Sequence, residues 1–224
     1  MNINEWVKHI DDSIYRAERK RSKLQPCGAP VSSVKGLCGL WGRHLWNNIG
    51  SAPGVNYLEI GTFHGAMVCS MAYGNKINAT VIDNWAFTEF GEQSPEEVKA
   101  NIRLFSGESK ITLIEEDCWA ADLSGVNSKY NVLYYDADHS QEATARAISH
   151  FLPVMDDPFV ILVDDYNPAL ADGSNHWSKV EAGVREGLEL AGLKSNYERE
   201  LLSSHEADLL GWWNGVFIGI MSRS

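Results

Sequence analysis

Short apolar segments that stop at a glycine or an acid recur from residue 55 onward, and they limit the fold more than any other feature. We predict strands at residues 55–60, 79–82, 111–114, 132–135 and 159–163. Helical segments separate these strands, which is typical of a parallel sheet with crossover helices. The residues that follow the strands are Gly61, Asp83, Glu115, Asp136 and Asp164. Since parallel strands end at one edge of a sheet, we expect this glycine and these carboxylates to lie at the same edge.

Helix signals lie between and after these strands. Ser94 and Glu97 form a capping box with Pro95 at the first helical position, which predicts a helix over residues 95–105. Further helices are predicted at 66–72, 140–151 and 177–190, and two more strands at 193–202 and 215–221. A tight turn before the last strand favours an antiparallel end to the sheet. The predicted fold is therefore an α/β Rossmann-like sheet of seven mostly parallel strands, with helices on both faces.

Residues 1–50 differ from the rest of the chain because they carry only helical patterns. Two helices are predicted there, over residues 1–24 and 31–48. We interpret this segment as an N-terminal helical extension that forms a lid or a dimer contact, and residues 51–224 as a single domain. A homodimer is therefore one expectation for the assembly.

Composition excludes several classes of partner. The chain has 19 Lys and Arg against 30 Asp and Glu, a net charge of −11, which argues against nucleic-acid binding because a phosphate backbone needs a basic surface. No segment approaches the roughly 18 consecutive apolar residues of a membrane span, and the acidic N-terminus does not resemble a signal peptide. We expect a cytoplasmic protein without a membrane partner that acts on a small molecule.

The first predicted strand leads into a glycine loop. Glu59, Gly61 and Gly65 form an E-x-G-x-x-x-G pattern, and a helix follows. The glycines allow the backbone to approach a ligand closely, and the start of the helix offers free N–H groups. A tight strand-to-helix turn without a ligand would carry the same pattern.

Acids after the next two strands complete a nucleoside-binding pattern. Asp83, followed by Asn84, comes 22 residues after Gly61 and is placed to accept hydrogen bonds from ribose hydroxyls. Asp117 and Cys118 follow the third strand and suit the edge of an adenine ring. For Asp117 alone, a helix N-cap is an equally good interpretation.

The most specific pattern lies further along the chain. Asp136 and His139 belong to a D-A-D-H sequence after the fourth strand, and Asp164 and Asp165 belong to a D-D-Y sequence after the fifth. Three carboxylates brought together repel one another unless protons or a cation intervene. Oxygen ligands of this kind favour Mg²⁺, Ca²⁺ or Mn²⁺ over zinc. His139 is either a general base or a histidine that is hydrogen-bonded at a helix start.

The glycine loop, the ribose acid and the adenine-edge acid, in this order, resemble the class I S-adenosylmethionine-dependent methyltransferases over about residues 50–224. The resemblance implies S-adenosylmethionine as cofactor and Asp83 as the ribose ligand. It also implies a cofactor loop that contains Glu59, Gly61, Thr62, Phe63 and Gly65. Phe63 stands where the dinucleotide fingerprint G-x-G-x-x-G has its middle glycine, which disfavours a nicotinamide enzyme.

The paired acidic motifs resemble the metal-dependent O-methyltransferases. The Asp-Asp pair is closest to the branch with macrocin-type sugar O-methyltransferases and cephalosporin-hydroxylase-like proteins. This resemblance implies Asp136, Asp164 and Asp165 as metal ligands, with Mg²⁺ the first choice and Ca²⁺ or Mn²⁺ as alternatives. It also implies catalysis by His139 and Asp136 on an acceptor that chelates the metal through two adjacent oxygens, such as a sugar or a catechol.

Two other functions stay open at this point. One is an oxidoreductase in which Asp83 holds a nicotinamide ribose, and the other is a non-catalytic module that binds S-adenosylmethionine or a metal. The residues that would select an acceptor have no readable motif. Aromatic and histidine side chains in the loops after the second and fifth strands are candidates for its pocket, namely Trp85, Phe87, Phe90, His176 and Trp177.

Overall fold

A computed structural model describes residues 1–24, 30–88, 94–125, 128–166, 178–203 and 208–224. Its strands are β1 (Asn56–Ile60), β2 (Asn78–Ile82), β3 (Lys110–Ile114), β4 (Tyr130–Tyr135), β5 (Met155–Asp164), β6 (Leu193–Leu201) and β7 (Val216–Arg223). Its α-helices are α1 (Ile3–Ala17), α2 (Leu40–Ile49), α3 (Ala66–Ala72), α4 (Pro95–Phe105), α5 (Gln141–Phe151) and α6 (Ser178–Leu190). Two short 3₁₀ turns span Pro30–Ser33 and Leu152–Val154.

All seven strands form one sheet in the order β3-β2-β1-β4-β5-β7-β6. The first five strands are mutually parallel, and β7 runs antiparallel to both β5 and β6. The predicted seven-stranded sheet with an antiparallel end is therefore confirmed. β5 begins at Met155, four residues before its predicted start. The early start arises because Met155 already pairs with Tyr130 of β4, and the register of the two strands then shifts before Val132.

Helices cover both faces of the sheet, as the alternating pattern predicted. On one face, α1, α2 and α3 pack over inward side chains such as Tyr57 and Tyr134. On the other face, α5 and α6 pack over Leu58, Leu133 and Ile161. Burial of apolar surface on both faces explains why the central strands read as nearly continuous hydrophobic segments. Among the described residues, none of the helices is long and apolar enough to cross a lipid bilayer.

The N-terminal helices differ from their predicted bounds. The helix predicted over 1–24 is wrong beyond Ala17, because Lys20 takes a positive φ of 54° and the Arg21 N–H donates to the carbonyl of Arg16, which closes the helix. The helix predicted over 31–48 is wrong before Leu40. A Cβ on Gly39 would overlap the Gly211 carbonyl, so this segment is held by close backbone packing ahead of α2.

Both N-terminal helices belong to the core that covers the first face of the sheet. Trp6 and Ile10 of α1 and Trp46 of α2 are almost completely buried. A domain boundary near residue 50, and the role of residues 1–50 as a lid or dimer contact, stay predictions.

The strand order reverses between β1 and β4, which is where open α/β sheets bind their ligands. Gly61 follows β1 and Asp136 follows β4, and the Asp136 N–H donates to the carbonyl of Ile60 at 2.9 Å. Gly61 has a φ of +81°, and a Cβ at this position would overlap the carbonyl oxygen of Asp136. Only glycine therefore fits at this junction of the two strands.

We predict that Gly61→Ala destabilises the chain far more than Gly54→Ala. Both glycines have positive φ, but nothing lies within 4 Å of a Cβ on Gly54. Gly54→Ala should cost about 1–2 kcal/mol for the backbone conformation alone. Gly61→Ala adds the overlap with Asp136 and should cost more than about 4 kcal/mol or prevent folding. Urea unfolding of the two variants measures the difference, and equal losses would contradict the close approach.

Candidate functional site

The loop between β1 and α3 is built around glycines and braced by Asp83. Gly61 and Gly65 have φ of 81° and 82°, and Phe63 between them has φ of 54°. The N–H groups of Thr62 and Phe63 donate to Oδ2 of Asp83 at 2.7 and 3.1 Å. The structure thus brings the predicted loop and the predicted ribose acid together, and it gives Asp83 a bracing role that the sequence pattern did not reveal.

Glu59 lies beneath this loop rather than on its surface. Its carboxyl is fully buried and accepts hydrogen bonds from the Thr62 hydroxyl at 2.5 Å and the Tyr57 hydroxyl at 2.6 Å. The indole N–H of Trp46 in turn donates to the Tyr57 oxygen at 3.0 Å. Burial raises the pKa of Glu59 to about 8, although the hydrogen bonds from Thr62 and Tyr57 lower it. Glu59 therefore supports the loop from below.

The other predicted nucleoside contacts lie in turns at the same edge of the sheet. Asn84 is exposed after β2, and its side-chain oxygen accepts a hydrogen bond from the Ala86 N–H at 3.0 Å. Asp117 is exposed after β3 and accepts one from the Trp119 N–H at 2.8 Å. Cys118 is half-buried, and burial raises the pKa of its thiol to about 11. Contact of these residues with a nucleoside stays a prediction.

Carboxylates from the ends of β4 and β5 meet as the sequence predicted. The Tyr134 hydroxyl lies 2.8 Å from Oδ2 of Asp136 and 2.6 Å from Oδ2 of Asp164. The imidazole of His139 lies between the carboxylates of Asp136 and Asp165. Its Nε2 is 3.3 Å from Asp136 Oδ1, and its Nδ1 is 3.3 Å from Asp165 Oδ2. We call Asp136, His139, Asp164 and Asp165 the acidic cluster.

One ligand atom from each of Asp136, His139 and Asp165 lies within 4.8 Å of the others. This group differs from the predicted metal ligands in one member, since it contains His139 where the prediction has Asp164. Asp164 is joined to the group through the Tyr134 hydroxyl. Asp165 is held in a left-handed conformation with φ of 55°, and the next residue, Tyr166, donates its N–H to the Gly215 carbonyl at 3.1 Å.

The acidic cluster attracts positive charge. Burial raises the pKa of Asp164 well above its ordinary value, and the charges of Asp136 and Asp165 raise it further. Burial alone would lower the pKa of His139, but the hydrogen bond to Asp136 and the charge of Asp165 raise it to about 9. A base must be neutral to accept a proton, so His139 can serve as one only when another positive charge balances these carboxylates.

Tyr134, Tyr57 and Trp46 contribute to the site, and the sequence patterns did not single them out. A signal for the two tyrosines was present, because each stands two residues before an acid at the end of a strand, and strand residues i and i+2 face the same side. No sequence signal identified Trp46, whose ring meets that of Tyr134 edge to face with centroids 4.7 Å apart.

The predicted acceptor pocket is described only in part. Phe87 lies near Phe63, with ring centroids 6.3 Å apart. Trp85 has a positive φ of 57°, and its N–H donates to Oδ1 of Asp83 at 2.8 Å. The remaining candidates, Phe90, His176 and Trp177, lie outside the described residues.

We predict that Glu59→Gln removes part of the pH dependence of stability. The native carboxyl, with a pKa of about 8, binds more protons than the unfolded one, whose ordinary pKa is 4.5, so stability falls as the pH rises between these values. The free energy of unfolding of the wild type should therefore decline relative to that of Glu59→Gln from pH 5 to 8 and level off above. Urea titrations at each pH measure this, with the exposed Glu108→Gln as control. A difference that is constant across the range would contradict the assignment.

Comparison with known proteins agrees with this geometry. Residues 58–166 match a family model described as a methyltransferase domain, a segment that runs from β1 to the residue after Asp165. No curated protein sequence matches the chain.

Solved structures share the whole fold at low sequence identity. The O-methyltransferase of Bacillus cereus in complex with SAH is 14% identical with a TM-score of 0.54, covering 96% of this chain and 99% of that one. The SAH-bound methyltransferase PaMTH1 of Podospora anserina is 14% identical with a TM-score of 0.54, covering 95% and 88%. TomG of Streptomyces achromogenes, an O-methyltransferase of tomaymycin synthesis in complex with SAM, is 14% identical with a TM-score of 0.51, covering 95% and 90%. Residues 58–166 therefore match a methyltransferase domain, and the whole chain shares the fold of these methyltransferase structures.

Proposed function

We propose that the protein transfers a methyl group from S-adenosylmethionine to a hydroxyl of a small molecule, with the help of a divalent cation. The acceptor is a vicinal diol, as in a sugar or a catechol. The observation that carries the proposal is the meeting of Asp136, His139 and Asp165 at the strand end next to Gly61, the glycine of the cofactor loop.

The donor site fits S-adenosylmethionine. The glycine loop lies at the point where strand order reverses, and the carboxylate of Asp83 lies at its side. The proteins from B. cereus and S. achromogenes, which share the fold, were solved with SAH and SAM respectively, and both are described as O-methyltransferases. These similarities support an oxygen acceptor for this chain as well.

The acidic cluster fits a divalent cation that prefers oxygen ligands. We propose Asp136, Asp164 and Asp165 as ligands of Mg²⁺, with Ca²⁺ or Mn²⁺ as alternatives. When bound, S-adenosylmethionine supplies an electrophilic methyl group, and the cation supplies positive charge that lowers the pKa of a hydroxyl.

The chain's own residues then have separate tasks. Gly61 and the loop that Asp83 braces hold the donor, while the acidic cluster orients the acceptor beside it. His139 accepts the proton of the acceptor hydroxyl, and Asp136, 3.3 Å from its Nε2, stabilises the charged imidazole. Alignment of the two reactants in one cleft supplies much of the rate, because it replaces a chance encounter by a fixed geometry.

We expect wild-type protein to bind SAH and to lose turnover in excess EDTA while it still binds SAH. The reason is that the proposed cation serves the acceptor and not the nucleoside. Calorimetric titration with SAH, with NADH as the comparison, combined with a methyl-transfer assay on a catechol and on a sugar diol, measures both parts. Full turnover in EDTA would contradict the metal, and tight binding of NADH in place of SAH would contradict the methyl donor.

We also predict that Asp165→Asn lowers kcat about 100-fold or more while SAH affinity stays within about twofold. Asparagine tolerates the left-handed backbone at this position, so the change removes charge with little disturbance of the chain. Asp156→Asn, at the opposite end of β5, is the matched control and should turn over normally. Equal activity of the two variants would rule out a role for the Asp165 carboxylate.

A further inference from the structure

We propose that Tyr134 is a positioning residue that sets the arrangement of the metal-binding carboxylates. Its hydroxyl contacts Asp136 and Asp164 at the same time, through Oδ2 of each, at 2.8 and 2.6 Å. The inference rests on the proposed cation site and adds a residue that is not itself a ligand.

The register of the sheet explains how one hydroxyl reaches both acids. Tyr134 pairs with Leu162 in the β4–β5 ladder, so Asp136 and Asp164, each two residues further along, come at the same level of their strands. Side chains two residues apart face the same side of a strand. Tyr134 therefore points to the same side of the sheet as the two carboxylates, and its hydroxyl lies between them.

The Tyr134 ring is buried and packs against Trp46. The residue is 1% exposed, and its ring meets that of Trp46 edge to face at a centroid distance of 4.7 Å and an angle of 75°. Trp46 is itself held by the bond from its indole N–H to Tyr57. A hydroxyl on such a ring has little freedom, so it defines where the carboxylates that it contacts can lie.

Hydrogen bonding by Tyr134 also decides which carboxylate oxygens stay available. The hydroxyl occupies Oδ2 of Asp136, which leaves Oδ1 directed toward His139 at 3.3 Å. Hydrogen bonds from outside the ligand set orient ligand carboxylates in this way, and their removal typically costs about 10–100-fold in metal affinity. The hydroxyl also places its single proton between two acids that otherwise repel each other.

Tyr134→Phe tests this role because it removes one oxygen and keeps the ring. Titration of Mn²⁺, followed by the electron paramagnetic resonance signal of the free ion, should show affinity about 10–100-fold below that of the wild type. In the methyl-transfer assay, the metal concentration for half-maximal rate should rise by a similar factor. Affinity for SAH should stay within about twofold, which also verifies the fold.

Tyr130→Phe is the matched control. Tyr130 lies in the same strand, is 3% exposed and donates its hydroxyl to Thr80 at 2.7 Å, away from the acidic cluster. This variant loses an equally buried hydroxyl, so its Mn²⁺ affinity should equal that of the wild type.

The outcomes separate this inference from the proposed function. If the wild type binds Mn²⁺ and Tyr134→Phe binds it equally well, the positioning role is wrong and the metal site stands. If Tyr134→Phe loses SAH and Mn²⁺ affinity together, or if Tyr130→Phe loses as much Mn²⁺ affinity, the hydroxyl has only a general structural role and the inference is overturned. If the wild type binds SAH but no Mn²⁺, Mg²⁺ or Ca²⁺, the metal site fails and the inference fails with it.

Discussion

Mutual repulsion of carboxylates at the ends of β4 and β5 is the constraint on which the site depends. Asp136, Asp164 and Asp165 are brought together by strand register, and burial makes the charge of Asp164 more costly still. The chain offsets this cost with the Tyr134 hydroxyl, which donates to the carboxylates, and with the imidazole of His139. Carboxylates held together in this way attract positive charge, which is the basis of the cation proposed above.

A second regularity connects the N-terminal helices to this site. β1 and β4 each place a tyrosine two residues before an acid, and in each case the hydroxyl contacts that acid, Tyr57 with Glu59 and Tyr134 with Asp136. Trp46 of α2 touches both tyrosines, one by a hydrogen bond and one by its ring. The layer beneath the glycine loop and the acidic cluster is therefore continuous, and α2 is part of it.

The fold and the grouping of the acids were predictable because both follow from local patterns. Compact β-branched strands that stop at acids fix the sheet edge, and parallel strands bring Asp136, Asp164 and Asp165 to one place. The end of α1 was not predictable, since Lys20 gives no sign of its positive φ. The support of Tyr134 by Trp46 was hidden as well, because it depends on how α2 packs across the sheet. Bracing of the loop by Asp83 was also not predictable. Its partners are backbone N–H groups, which are present whatever the residue type.

The absence of a side chain at Gly61 makes the glycine loop and the acidic cluster a single mechanical unit. The Asp136 carbonyl leaves no room for a Cβ on Gly61. A hydrogen bond from the Asp136 N–H to the Ile60 carbonyl joins the two strand ends. A shift of one strand end is transmitted directly to the other. Any rearrangement at the site consequently has to take place around this joint and not through it, so the distance between the glycine loop and the acidic cluster is built into the scaffold.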